Sequence, residues 1–316
     1  MHHIEICRDV LPGAAVRRAD PRQGGLEQGA GHGMDHFTTT DGVRLGYSID
    51  DFTDPWRPTE TLILLHSAMG CMERFFAWMP LLSRHFRVVR MDLRGHGTSQ
   101  VPGADSALTI DRLVADVQEL MALAGVERAH FAGTSAGGYL SMRMAMDHPD
   151  RVQTLSLFGS TPGFKGGQAP AWLPRIRAEG LRNFLADTIT DRFPPEMIGS
   201  DLVTWFLDQA GSTDPEFLER FVSLMDAQDW SDELDKITCP TLLIIPGAGK
   251  IGDYSGFERM KARIPQLTVK VYEDMPHNVW DSQPERCVAD LLEFLTATGH
   301  VGPQGTLRAA AVGAPA

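Results

Sequence analysis

The run Gly133-Thr134-Ser135-Ala136-Gly137-Gly138 combines a nucleophilic hydroxyl with small neighbours two positions away on either side. This is the G-x-S-x-G pattern of an activated serine, and it falls between a predicted strand and a predicted helix. A serine at such a turn takes strained backbone angles, and the flanking glycines let neighbouring chain segments approach. The turn lifts the Ser135 hydroxyl into a cleft. It also aims the Ala136 N–H, at the head of the following helix, at an oxyanion developing on an attacked carbonyl. A glycine-rich turn without chemistry is the alternative, and the elements around it decide between the two.

Those elements alternate. His36–Thr40 and Val43–Ile49 form an expected hairpin around Asp41-Gly42. Further strands are expected at Thr61–His66, Phe86–Leu93, Ala129–Gly133, Val152–Phe158, Thr241–Ile245 and Leu267–Tyr272. Helices are expected over Met72–Arg84, Ile110–Ala124, Ala136–His148, Gly256–Arg263 and Pro284–Leu295. Leu113, Val117, Leu120 and Leu123 share one helical face. Short apolar strands alternating with helices predict an α/β protein with a mostly parallel, eight-stranded sheet covered on both faces. Sites in such sheets lie at the carboxyl ends of the strands. The segment 161–236 breaks the alternation and reads as an inserted helical cap. It is rich in aromatics, among them Trp172, Phe184, Phe193, Trp205, Phe206 and Trp230. These either fill the insertion's own core or, in part, face inward as an apolar roof over a pocket.

Composition narrows the function. The chain has 316 residues, 43% hydrophobic and 22% charged, with a formal net charge of −12. That balance disfavours nucleic acid and anionic membrane surfaces as partners and leaves small molecules open. Cys7, Cys71, Cys239 and Cys287 are scattered without a C-x-x-C pair, which argues against a disulfide framework or a zinc site and for a cytoplasmic enzyme. No metal or nucleotide motif occurs, and no cofactor is expected. Residues 1–34 and those after Gly299 read as a disordered extension and a flexible tail, with Met34 as a second possible start; the core is expected at 35–160 and 237–298. A monomer or homodimer is expected.

With the serine turn, several other runs resemble the α/β-hydrolase family, and more narrowly its capped enol-lactonase, C–C hydrolase and esterase group. They are His66-Ser67-Ala68-Met69-Gly70, Asp92-Leu93-Arg94-Gly95-His96-Gly97-Thr98-Ser99, Met275-Pro276-His277 and the insertion's Trp172–Leu181. The resemblance implies that Ala68 and Ala136 supply the oxyanion N–H groups and that His277 is the base. An imidazole suits that task because its ordinary pKa lies near neutrality. It implies a structural role for the Asp92 turn, His96 and His66.

The family's acid does not transfer. Where G-x-x-D is usual, this chain reads Gly247-Ala248-Gly249-Lys250, and the other position the family uses reads Phe158-Gly159-Ser160-Thr161. Either Asp253 reaches His277 by a re-routed loop, or the enzyme runs on a Ser–His pair. Asp274 and Lys250 read as surface charges. Ser67, Met69, Trp172, Trp205 and Trp280 are the expected substrate contacts. Arg175 and Arg182 either hold a substrate carboxylate or pair with Glu179 and Asp187 on the surface. The resulting expectation is a serine hydrolase of a small ester or lactone. The alternatives are a cofactor-free C–C hydrolase or lyase, or a ligand-binding protein with residual activity, motivated by Lys250.

Overall fold

The computed structural model describes residues 34–165 and 167–301. The expectations for 1–33 and for 302–316 lie outside the described residues. The strands are β1 (Asp35–Thr38), β2 (Arg44–Asp50), β3 (Thr61–Leu65), β4 (Arg87–Met91), β5 (Ala129–Thr134), β6 (Val152–Phe158), β7 (Thr241–Pro246) and β8 (Leu267–Tyr272). They form one eight-stranded sheet in the order β1-β2-β4-β3-β5-β6-β7-β8. The β1–β2 and β2–β4 pairs are antiparallel; from β4 to β8 every pair is parallel.

The helices are α1 (Met79–Leu82), α2 (Ile110–Leu123), α3 (Ala136–Asp147), α4 (Ala169–Glu179), α5 (Leu181–Asp187), α6 (Ser200–Gly211), α7 (Pro215–Asp226), α8 (Ser255–Arg263), α9 (Val279–Ser282) and α10 (Pro284–Ala297). Why the central strands are apolar throughout is plain from β3, whose five residues are all buried. Leu62 and Leu64 pack with Phe75, Trp78, Leu291 and Phe294 on one face. Ile63 and Leu65 pack with Leu113, Val117 and Leu140 on the other. A strand covered on both faces has no polar side. Each such aliphatic side chain contributes about 1.5–3 kcal/mol relative to exposure.

The structure departs from the expected helix over Met72–Arg84. Met72–Trp78 is a 3-10 helix that runs into the short α1. Side chains three apart eclipse in that tighter winding. Phe75 and Trp78 use it to pack edge to face at 5.3 Å, and the Trp78 indole donates to the Trp280 carbonyl at 3.0 Å. Val301, two residues past Gly299, is buried in the cluster that holds Leu291 and Leu295.

Between β6 and β7 the chain inserts α4–α7, the expected helical segment. Phe184, Phe193, Phe206, Phe217 and Phe221 are buried there. Asp214 caps α7 by accepting from the Phe217 N–H at 2.7 Å. Arg220 ties α7 to the loop after β4 through the carbonyls of Gly103 and Ser106. Among the described residues no helix is long and apolar enough to cross a membrane.

Candidate active site

Ser135 stands between β5 and α3 with φ 48° and ψ −113°. Among the described residues only Ser135 and Met69 combine a side chain with a positive φ. Such strain costs on the order of 1–3 kcal/mol and persists only where the surroundings hold it. Here the Ser135 N–H donates to the Phe158 carbonyl at 3.0 Å, and the Ser135 carbonyl accepts from the Ser160 hydroxyl at 2.9 Å. The flanking glycines are required sterically. A Cβ on Gly133 would lie 2.5 Å from the Gly137 backbone, and one on Gly137 would lie 2.7 Å from the His66 carbonyl oxygen.

That contact with His66 brings the second strained segment alongside. The His66 ring donates from Nδ1 to the Ser67 carbonyl at 2.7 Å, while Nε2 accepts from the Leu93 N–H at 2.9 Å. Burial holds this imidazole down to about 4, so it is neutral and the tautomer is set by its two partners. The bend it pins leaves Met69 at φ 57°. Ala68 then faces the same cavity as Ser135 and Ala136. The Ala68 N–H donates to no backbone carbonyl among the described residues, and Ala136 opens α3, where a first-turn N–H has no partner within the helix. Two donors with this freedom suit an oxyanion. The Asp92 turn supports them: the carboxylate accepts from the N–H groups of Met72 (2.6 Å) and Thr98 (2.7 Å). His96 is buried against Phe217 and Phe221.

His277 follows β8 and lines the same cavity as Ser135. Its N–H donates to the Asp191 carbonyl at 3.2 Å, and the Asn278 N–H to the Arg192 carbonyl at 2.9 Å, so the helical insertion straps this loop. The ring packs edge-on to Trp280 at 5.2 Å. Burial, with the nearby Arg192 cation as a second cause, pulls its pKa down to about 3. The imidazole is therefore neutral at working pH, the form a general base requires. Among the described residues neither the Ser135 hydroxyl nor the His277 ring has a hydrogen-bond partner.

The structure does not bring Asp253 to the imidazole. Its carboxylate accepts from the Ser255 N–H (2.9 Å) and hydroxyl and from Arg259 (2.7 Å), a local turn plus an ion pair that holds it at the start of α8. The other candidates are placed elsewhere too. Asp274 is exposed. Lys250 is 70% exposed and lies 3.5 Å from Asp191. Asp281, four residues past His277, is committed to Arg74. The loop after β6 offers a glycine beside the ring: a Cβ on Gly159 would lie 3.4 Å from His277 Cε1.

The cavity, about 660 Å³ including its mouth, is otherwise mostly apolar, and Ser67, Met69, Trp172 and Trp280 are among the residues that line it. Trp205 does not. On α6 the next residue, Phe206, points inward, and Trp205 packs against Phe76 at 5.4 Å. Arg175 and Arg182 face outward, paired with Glu179 and Asp187 and with Asp208 respectively. The arginine in the cavity is Arg192, together with Asn278 and Tyr139. No local sequence signal marks Arg192, because its burial arises from the fold of the insertion.

One group of described residues could hold a metal ion. Glu60, His130 and His300 place one ligand atom each within 4.8 Å of one another. They sit at the amino ends of β3 and β5, the opposite end of the strands from Ser135. Among the described residues no such group lines the cavity.

A strained serine just after a parallel central strand and a histidine after the last strand thus line one cavity. Residues 60–284 match the α/β-hydrolase-fold family, and the chain belongs to it. It is 29% identical over 273 residues to a fluoroacetate dehalogenase from Burkholderia sp, covering 74% of this chain and 86% of that one. It is 26% identical to a pimeloyl-[acyl-carrier protein] methyl ester esterase from Nitrosomonas europaea, covering 66% and 84%. Among solved structures, the enol-lactonase of Burkholderia xenovorans LB400 shares the fold with a TM-score of 0.74 at 24% identity, over 83% of this chain and all of that one. The chain is a hydrolase of the α/β fold.

Proposed function

We propose that this hydrolase cleaves a small ester or lactone through an acyl-enzyme on Ser135, with His277 as general base and Ala68 and Ala136 as oxyanion donors. The observation that carries the reading is the strained Ser135 backbone, which shares one cavity with a neutral, buried His277. His277 takes the hydroxyl proton as Ser135 adds to the carbonyl carbon. It returns that proton to the leaving oxygen, then activates the water that releases the acid. The contact between the two side chains closes on substrate, as apo geometry often leaves it long. With Asp253 engaged elsewhere, the pair works without a carboxylate against its imidazole. The strapped His277 loop and Trp280 orient the ring instead.

The esterase among the relatives favours acyl chemistry. The dehalogenase favours displacement at a carbon–halogen bond. Serine distinguishes them chemically, because displacement at an alkyl carbon would leave an ether that water does not cleave, whereas an acyl-serine turns over. Turnover of p-nitrophenyl esters by the intact chain, with kcat/KM falling at least about 1000-fold in Ser135→Ala and in His277→Ala, is expected. Ester turnover that survives Ser135→Ala would overturn the reading.

A further inference from the structure

Glu60, His130 and His300 meet away from the cavity, at the amino ends of the strands. Glu60 precedes β3, His130 lies in β5 and His300 follows α10, so three segments distant in sequence converge. His130 is fully buried, edge to face with Phe86 at 5.5 Å and with the His300 ring at 4.5 Å. Its Nδ1 has a partner, the Thr154 hydroxyl on β6 at 2.9 Å. Its Nε2 lies 3.3 Å from Glu60 Oε2, yet both atoms are buried and neither makes a hydrogen bond among the described residues. The other carboxylate oxygen, Oε1, lies 3.2 Å from His300 Nδ1 and accepts from the Gln153 amide at 3.0 Å.

Buried polar atoms are rarely left unbonded, because each keeps the cost of its lost hydration. A proton on Nδ1, donated to Thr154, leaves Nε2 with a lone pair that confronts a carboxylate oxygen. Two acceptors that face each other are both satisfied by a cation between them. The spacing suits a small one. Ligand atoms about 2.0–2.1 Å from a tetrahedral zinc ion stand about 3.3–3.4 Å apart. The two nitrogen–oxygen separations here are 3.3 and 3.2 Å, and one ligand atom from each residue falls within 4.8 Å of the others. Two imidazoles and one carboxylate favour zinc over calcium or magnesium, which take oxygen ligands. The Thr154 hydroxyl supplies the outer hydrogen bond that fixes the tautomer of a metal-bound histidine. Scattered cysteines argue against a thiolate zinc site, and this set contains none.

We propose that Glu60, His130 and His300 form a zinc site, with water as the fourth ligand, that fastens the segment after α10 to the amino ends of β3 and β5. The ion takes the place of the proton between His300 Nδ1 and Glu60, and binding releases it. His300 lies beyond residues 60–284, the part of the chain that matches the family. The site is at the opposite end of the strands from Ser135, so the proposal goes beyond the hydrolase reading and does not rest on it.

The full chain would be stripped with a chelator, dialysed against micromolar zinc chloride and assayed for metal by mass spectrometry. About one zinc per chain is expected, with affinity at least about 100-fold weaker in Glu60→Gln and in His300→Ala. Zinc should raise the melting temperature of the wild type and not that of His300→Ala. Cobalt(II) added to the stripped wild type should give the intense visible absorption of a four-coordinate ion, a readout that needs no variant. No zinc in the wild type, or undiminished binding in both variants, would overturn the site. Zinc held without a rise in melting temperature would overturn the fastening role. Stripped and loaded enzyme should agree within about twofold in kcat/KM on esters. A larger fall on stripping would overturn the independence of this site from Ser135, whereas ester turnover that survives Ser135→Ala bears on the hydrolase reading alone.

Discussion

Two buried arginines show how differently one protein treats the same charge. Arg94, in the turn after β4, is fully enclosed and paired with Asp116 and Asp41. Every nitrogen of its guanidinium has a carboxylate oxygen, and the turn is a rigid support. Arg192, in the insertion over the sheet, is also buried, yet its guanidinium donates only to Thr188 among the described residues and lines the cavity. The same contrast runs through the histidines. His66 has both ring nitrogens engaged, while the ring of His277 has no hydrogen-bond partner among the described residues. In both comparisons the group with its polar atoms engaged lies in a supporting turn, and the one without lies in the wall of the cavity. Sites of the second kind commonly give up folding stability.

The largest effect that would sharpen this contrast is on stability. Arg94→Met should cost about 3–5 kcal/mol in urea unfolding, because it takes from the buried Asp116 carboxylate its two-pronged partner and leaves it Arg112 alone. Arg192→Met should stay within about 1 kcal/mol of wild type or exceed it, since it removes a buried charge that no carboxylate pairs directly and that only the nearby Asp191 offsets. Equal losses in the two variants would erase the distinction.

The next effect is on pH. His66, His96 and His277 are all held below the ordinary 6.5, at about 4, 3 and 3, chiefly by burial. The unfolded chain takes up these protons near 6.5 and the folded chain does not. Their contribution to stability is therefore present above pH 6.5 and is lost as pH falls toward 4. The melting temperature should drop steadily over that range. Meanwhile kcat/KM should hold nearly level from pH 8 to 5, because His277 stays neutral. Arg192→Met, by removing a neighbouring cation, should move the acid limb upward. A limb centred at 6.5 in the wild type would show an imidazole in contact with water.

The smallest effect concerns the missing acid. Asp253→Ala should leave kcat/KM on esters within about threefold, since its carboxylate serves Ser255 and Arg259. Loss of a triad aspartate costs about 10⁴-fold, so a fall of that size would return Asp253 to the site.

Much of the framework was legible because it follows from local rules. Period and apolar run length locate the strands, and Gly133 and Gly137 mark the turn at Ser135 because no other side chain fits there. The errors share a cause in tertiary placement. Trp205 and Phe206 are adjacent and both aromatic, and only the docking of α6 decides which faces the cavity. Asp253 had the right charge near the right place, but an arginine one turn into α8 claims it. Arg192 looks like any surface arginine until the insertion folds over it. Arg175 and Arg182, better placed by helical spacing, find their own carboxylates outside.

The nucleophile assignment is open to a direct chemical test. The intact chain would be treated with a fluorophosphonate, digested and mapped by mass spectrometry, beside Ser135→Ala and His277→Ala. A single adduct on Ser135, absent from Ser135→Ala and formed at least about 100-fold more slowly in His277→Ala, is the expected result. An adduct on any other residue, or labelling of His277→Ala at the wild-type rate, would contradict a hydroxyl at position 135 activated by that imidazole.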